Sequence, residues 1–236
     1  MSGIFVWAHR GASTLAPENT LAAFKLAEAA GAGGLELDVQ LSRDGVPVVL
    51  HDETLDRTSD GRGPVSELSL EHIKRLDAGS WFSPDFAGEK IPTLQETLQW
   101  GGSRLRFNIE IKDSAAGQAV LELSRSYSQA SIVVSSFDHD LLHRLRCNAP
   151  NLPLAFLWES PDWAAAVERA AACAAESFNP LYGYLSADLV TDCHRRGLAV
   201  YPWTVDTLAE LKHCRRLNVD GVFCNNPGQV LSWIQD

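Results

Sequence analysis

The stretch Gly34-Leu35-Glu36-Leu37-Asp38-Val39-Gln40 has the two-residue period of a strand, because successive side chains of an extended chain point to opposite faces. Leu35, Leu37 and Val39 share one face, and Glu36 and Asp38 share the other. Asn108-Ile109-Glu110-Ile111-Lys112 repeats the arrangement: two isoleucines alternate with three polar residues. Each stretch reads as a strand with one apolar face and one charged face.

Outward from these two stretches, short β-like runs alternate with helical patterns. Strands are expected at Ile4–Ala8, Gly34–Gln40, Leu105–Lys112, Ile132–Ser136, Leu154–Trp158, Ser177–Pro180, Leu198–Thr204 and Gly221–Cys224. Helices are expected at Thr20–Ala30, Thr93–Trp100, Gln118–Tyr127, Asp138–Asn148, Trp163–Cys173, Ala187–Arg196, Thr207–Arg216 and Pro227–Ile234, with Asp138 and Ser186 as N-caps. Eight such units imply parallel strands joined by right-handed crossovers. At 236 residues they fit a (β/α)8 TIM barrel, whose usual size is about 250 residues. A doubly wound open sheet is the alternative. The whole chain, residues 1–236, reads as one domain, with an extra extended piece at Val46–Leu50. Residues Glu53–Ile91 are irregular apart from a short helix around Leu70–Leu76, and so long an excursion is usually functional or a small subdomain.

Composition narrows the function. A net charge of −10 argues against nucleic-acid binding, which usually needs basic patches. The five cysteines are widely spaced, with no Cys-x-x-Cys pair, so neither a disulfide framework nor a zinc site is suggested. Reduced thiols in a cytoplasmic protein are the simplest account. The N-terminal apolar run is too short for a signal-peptide core. The most apolar helical stretch, Ala164 to Ala175, is interrupted by Glu168 and Arg169, so no stable membrane insertion is expected. Composition does not set the oligomeric state.

In a barrel the outer face lies under helices. Leu35, Leu37, Ile109 and Ile111 must then point outward, and Glu36, Asp38, Glu110 and Lys112 inward. Three enclosed carboxylates cannot all stay charged and unpaired. A divalent cation resolves this, and carboxylate-only ligands suit Mg²⁺, Ca²⁺ or Mn²⁺. An ion-pair network with Arg10 and Lys112 is the alternative. His9 and Arg10 follow the first strand, and His51 follows Val46–Leu50. Arg offers a fork of donors for phosphate or carboxylate. Two histidines at strand tips suit an acid and a base on opposite sides of one reacting centre. Ser135, Ser136, Asn179, Phe137 and Trp203 end later strands, and the two aromatic residues could form an apolar wall. His72, His139, His143, His194 and His213 read as surface or packing residues. No P-loop, Gly-x-Ser-x-Gly elbow or opening Gly-x-Gly-x-x-Gly is present.

These motifs, with Pro17-Glu18-Asn19-Thr20, Asp44-Gly45, His51-Asp52, Leu55-Arg57-Thr58, Asp77-Ala78-Gly79 and Ser136-Phe137, make the chain resemble the glycerophosphodiester phosphodiesterases of the short soluble bacterial kind over essentially its whole length. The resemblance implies a TIM barrel with a small insertion after the second strand. It implies hydrolysis of a small-molecule phosphodiester, such as glycerophosphocholine or glycerophosphoethanolamine, to sn-glycerol 3-phosphate and an alcohol. It implies Mg²⁺ or Ca²⁺ on Glu36, Asp38 and Glu110, His9 and His51 as the acid–base pair, and Arg10 and Lys112 on the phosphate. Glu18 would orient Arg10 or His9, and Trp203 would line the substrate site. Two departures fall near the last strands: the family usually reads Trp-Thr-Val-Asn and Thr-Asp where this chain has Trp203-Thr204-Val205-Asp206 and Cys224-Asn225-Asn226. Both would bear on the substrate rim. A lysophospholipid-cleaving enzyme on this fold, with Trp81, Phe82 and Phe86 at an apolar entrance, a metal-binding barrel without catalysis, and a glycosidase are the rival readings.

Overall fold

The β-branched and apolar runs of the sequence become strands in a computed structural model that describes residues 3–235. The strands are β1 (Phe5–Ala8), β2 (Gly34–Leu41), β3 (Pro47–Val49), β4 (Arg106–Ile111), β5 (Ser131–Ser136), β6 (Leu154–Trp158), β7 (Ser177–Pro180), β8 (Ala199–Val200) and β9 (Gly221–Cys224). The helices are α1 (Leu21–Ala29), α2 (Leu70–Ile73), α3 (Leu94–Gly101), α4 (Gly117–Ser126), α5 (His139–Asn148), α6 (Ala164–Ala172), α7 (Ala187–Arg195), α8 (Leu208–Leu217) and α9 (Pro227–Gln235). Side-chain oxygens start several of them. Thr20, Asp138 and Ser186 each accept a backbone N–H of the first turn, and Thr93 and Thr207 form reciprocal boxes with Glu96 and Glu210.

The strands run β8-β7-β6-β5-β4-β2-β1-β9, all parallel, with β3 folded back antiparallel on β2. Backbone bonds close the ring between its ends. Asp220 N–H donates to the Val200 carbonyl at 3.1 Å, Phe223 N–H to Pro202 at 3.0 Å and Val205 N–H to Phe223 at 2.8 Å. The result is the expected (β/α)8 barrel. One expected strand is shorter: Leu198–Thr204 keeps a regular ladder only over Ala199–Val200. Pro202 has no N–H to donate, and beyond it only scattered bonds persist, such as Trp203 N–H to Pro180.

Apolar burial divides by face. Leu35, Leu37, Ile109 and Ile111 join the cluster under the helices, with Phe24, Leu98 and Leu142. Inside the barrel, Trp7, Val133, Ala155, Tyr201 and Phe223 fill the floor, with the Trp7 and Phe223 rings stacked 5.7 Å apart. Gly34 makes room for Trp7, since a Cβ there would sit 2.4 Å from the indole. One step further toward the strand ends, the same inward rows carry His9, Ser135, Leu157 and Asn225. The aromatic plug therefore forms the base of a polar mouth at the C-terminal face, where barrel enzymes place their sites. Between β3 and α3, Leu55, Val65, Ile73 and Ala78 pack with Val48, Leu50 and Ile91 in a separate small cluster. No helix among the described residues is long and apolar enough to cross a membrane, and all five cysteines are unpaired.

Candidate active site

The mouth holds a cavity of about 420 Å³ lined by His9, Arg10, Glu36, His51, Glu110, Lys112 and Trp203, among others. The parallel register of β2 and β4 sets Asp38 beside Glu110 and Glu36 beside Asn108. Glu36, Asp38 and Glu110 are all buried, and each offers a carboxylate oxygen within 4.8 Å of the other two. Around them, the Arg10 backbone N–H donates to Glu36 at 2.8 Å, and Arg10 Nε lies 3.1 Å from Asp38 Oδ2. Asn19 grips Asp38 from both sides, through its amide N–H at 2.7 Å and its carbonyl oxygen at 3.2 Å. Lys112 Nζ reaches Glu110 at 2.7 Å and Asp38 at 3.8 Å.

Two cations do not satisfy three acids. Glu36 Oε1 and Asp38 Oδ1 are buried without a hydrogen-bond partner. Burial, then the neighbouring Asp38 and Glu110 charges, push Glu36 well above the usual carboxylate range. Burial and Asp38 push Glu110 up to about 7. Burial alone would raise Asp38 too, but Arg10, His51 and Lys112 outweigh it and hold Asp38 low. A set of oxygen donors with orphaned buried lone pairs fits a hard divalent cation.

A left-handed turn delivers the first pair of polar residues. Arg10 has φ 56° and Gly11 φ 83°, and a Cβ on Gly11 would lie 2.7 Å from the Ala23 backbone carbon. Arg10 Nη1 donates to Glu18 at 2.9 Å. Glu18 also receives both terminal nitrogens of Arg57 at 2.8 Å, and Arg57 in turn clasps Asp52 at 2.8 and 2.9 Å. Asp52 closes the chain on His51 Nδ1 at 2.7 Å. Arg57 and His51 bonds hold the Asp52 carboxyl far below its ordinary value. His9 Nδ1 meets Asn225 Oδ1 at 2.8 Å. Burial, then Arg10, pull His9 down to about 4, against the opposing effects of Asn225, Asp38 and Glu18.

On the opposite wall, Phe137 and Trp203 stand edge to face with centroids 5.8 Å apart, and Trp203 Nε1 donates to the Asn179 carbonyl at 2.9 Å. Of the residues expected at the site, His9, Arg10, Glu36, His51, Glu110, Lys112 and Trp203 line this cavity, and Asp38 and Glu18 stand behind the lining against Arg10. Several other strand-end and loop residues lie off the cavity wall. Ser136 turns away: its hydroxyl donates to the Ile111 carbonyl. Asn179 is fully buried and off the cavity wall. Trp81, Phe82 and Phe86 pack on one another and do not line this cavity. The two departures at Asp206 and Asn225 meet each other rather than the rim, with Asn225 Nδ2 donating to Asp206 at 2.6 Å. Asn19, Asn108, Arg57 and Glu159, to which the sequence reading assigns no role, also enter or support the site. Asn108 was signalled by its place on the charged face of β4; Glu159, a rim carboxylate after β6, carries no signal in sequence.

Comparison with known proteins gives one answer. The model of the glycerophosphoryl diester phosphodiesterase family matches residues 9–229. A glycerophosphodiester phosphodiesterase of Caldanaerobacter subterraneus subsp. tengcongensis is 38% identical over 240 residues, covering 98% of this chain and 97% of that protein. Among solved structures, an Oleispira antarctica phosphodiesterase in complex with the product sn-glycerol-3-phosphate superposes with a TM-score of 0.91 at 30% identity, covering 99% and 98% of the two chains. A glycerophosphodiester phosphodiesterase from Agrobacterium tumefaciens gives 0.87 at 30% identity, with 97% and 99% covered. The chain belongs to the glycerophosphoryl diester phosphodiesterase family.

Proposed function

We propose that the protein hydrolyses glycerophosphodiesters such as glycerophosphocholine or glycerophosphoethanolamine to sn-glycerol 3-phosphate and an alcohol, with Mg²⁺ or Ca²⁺ held by Glu36, Asp38 and Glu110. The observation that carries this is the convergence in one cavity of two histidines, two cations and an acidic cluster with unpartnered oxygens. When bound, the cation would supply Lewis-acid stabilisation of charge building on the phosphoryl oxygens. Arg10 and Lys112 bind those same oxygens from fixed positions, so little reorganisation is needed as charge develops. Glu18 holds Arg10 in place. Phe137 and Trp203 wall the carbon skeleton of the substrate.

The histidines divide the proton transfers by their surroundings. His9, kept neutral by burial and Arg10, removes the proton of the attacking hydroxyl, either from water or from the substrate's own 2-hydroxyl; in the second case a cyclic phosphate forms as the alcohol leaves, and water then opens it to sn-glycerol 3-phosphate. His51 donates its Nδ1–H to the Asp52 carboxylate, which fixes the orientation of the ring. Its Nε2–H protonates the leaving alkoxide. The whole chain works as one catalytic unit with residues 53–91 as an insertion, in the cytoplasm, where its free thiols stay reduced.

The test follows sn-glycerol 3-phosphate release from glycerophosphocholine with a coupled dehydrogenase, in chelator, in Mg²⁺ and in Ca²⁺. Release that needs a cation and disappears in His51→Ala is the expected result. A folded protein that releases nothing with any cation would sink the proposal.

A further inference from the structure

Asn225 sits against His9, and which end of its amide faces the imidazole is decided one residue further out. Asp206 Oδ2 accepts the Asn225 side-chain N–H at 2.6 Å, and Asp206 Oδ1 accepts the Asn225 backbone N–H at 2.7 Å. An ionised carboxylate only accepts, so the amide nitrogen must face Asp206 and the amide oxygen must face His9. The Ser13 hydroxyl donates to that same oxygen at 3.0 Å, consistent with the orientation. An amide oxygen also only accepts, so the His9 nitrogen 2.8 Å away, Nδ1, must carry the ring proton. A neutral imidazole has one donor and one acceptor nitrogen. Nε2 is left with its lone pair. Asp206 is itself anchored, since its backbone N–H donates to Glu210 Oε2 at 2.9 Å, beside the cap of α8.

We propose that Asp206 and Asn225 are positioning residues that lock His9 in the tautomer with Nδ1 protonated and Nε2 free to accept a proton. Neither residue lines the cavity. The inference rests on the reading of His9 as the base and deepens it. A carboxylate bonded directly to the ring would also fix the tautomer, but it would stabilise the protonated form. Here the negative charge stands one hydrogen bond away, so the ring is oriented through a neutral amide.

Long-range proton–nitrogen correlation spectra of ¹⁵N-labelled protein read the tautomer without reference to activity. They would be recorded in mildly alkaline buffer, with His9 assigned through the loss of its signals in His9→Gln. The wild type should show protonated Nδ1. Asp206→Ala frees the amide to turn, so its His9 should show mixed tautomers, with kcat lower by about tenfold to a hundredfold and KM little changed. The exchanged pair, Asp206→Asn with Asn225→Asp, places a carboxylate acceptor at Nδ1 and should restore both the tautomer and most of kcat. Protonated Nε2 in the wild type overturns the lock. So does an Asp206→Ala protein that keeps a pure Nδ1–H tautomer, whatever its kcat. Should Asp206→Ala fail to fold, the wild-type and exchanged-pair spectra still decide. Tautomer loss in Asp206→Ala of a protein inert towards diesters would uphold the lock and remove His9 as the base.

Discussion

Glu36 shows at the scale of one residue how function and stability oppose each other. It is buried, one oxygen has no partner, and two further carboxylates stand beside it. Desolvation and repulsion make such a charge costly without a counterion. Glu36→Gln keeps an oxygen for the Arg10 N–H and removes the charge. In chelator the variant should be more stable by about 1–3 kcal/mol, a rise of several degrees in Tm. It should also lose the wild type's upward Tm shift on adding Mg²⁺ or Ca²⁺. A lower Tm in chelator would instead identify the cluster as an ion-pair network completed by Arg10 and Lys112. His9 gives the second residue-scale prediction. Burial holds its folded value at about 4, below the ordinary 6.5 of a free imidazole. Between those values the unfolded chain binds a proton that the folded chain does not, so stability falls as pH falls through the window. His9→Gln lacks this contribution. The wild-type advantage over the variant in urea unfolding should therefore shrink by about 1–3 kcal/mol from pH 7 to pH 4. Parallel curves would mean that His9 is not held neutral.

At the scale of elements, the strands and helix starts were legible and the wiring between loops was not. Period-two alternation marked β2 and β4, and Thr20, Asp138 and Ser186 marked helix starts, because both signals are local chemistry. The inward face of β2 and β4 gave the three acids and Lys112 for the same reason. Arg57 was legible only as part of a motif. Its partners are Glu18, 39 residues away, and Asp52, and no local pattern encodes a contact between two loops. Arg57 ties the insertion to the β1–α1 loop and braces both His51, through Asp52, and Arg10, through Glu18. Its side chain is 44% exposed, so its ion pairs should contribute less than about 1 kcal/mol to stability. Arg57→Ala should leave Tm nearly unchanged and lower kcat/KM by about tenfold. Arg57→Lys should not fully rescue it, since a point charge cannot grip two carboxylates with a planar fork. An unchanged kcat/KM in Arg57→Ala would show that the network braces nothing.

Over the whole molecule, eightfold alternation announced the barrel, but the place where it closes depends on contacts between distant segments. β2 and β4 pair over six residues, and β4 is paired on its other side as well. β8 pairs with β7 over only two, and the seam from β8 to β9 rests on the Asp220, Phe223 and Val205 amides. Fewer ladder bonds mean a lower local cost of opening. The seam also carries Trp203 on one side, and Asn225 follows β9 on the other, so its opening would disturb the substrate wall and the base together. Amide hydrogen exchange at Phe223 and Val205 should be at least about tenfold faster than at Ile109 and Ile111. Adding sn-glycerol 3-phosphate with a divalent cation should slow exchange selectively at the seam, because a ligand held against Trp203 and His9 binds only the closed form. Equal rates at all four amides, unchanged by ligand, would mean that the barrel opens only by unfolding as a whole and that the seam is as firm as its centre.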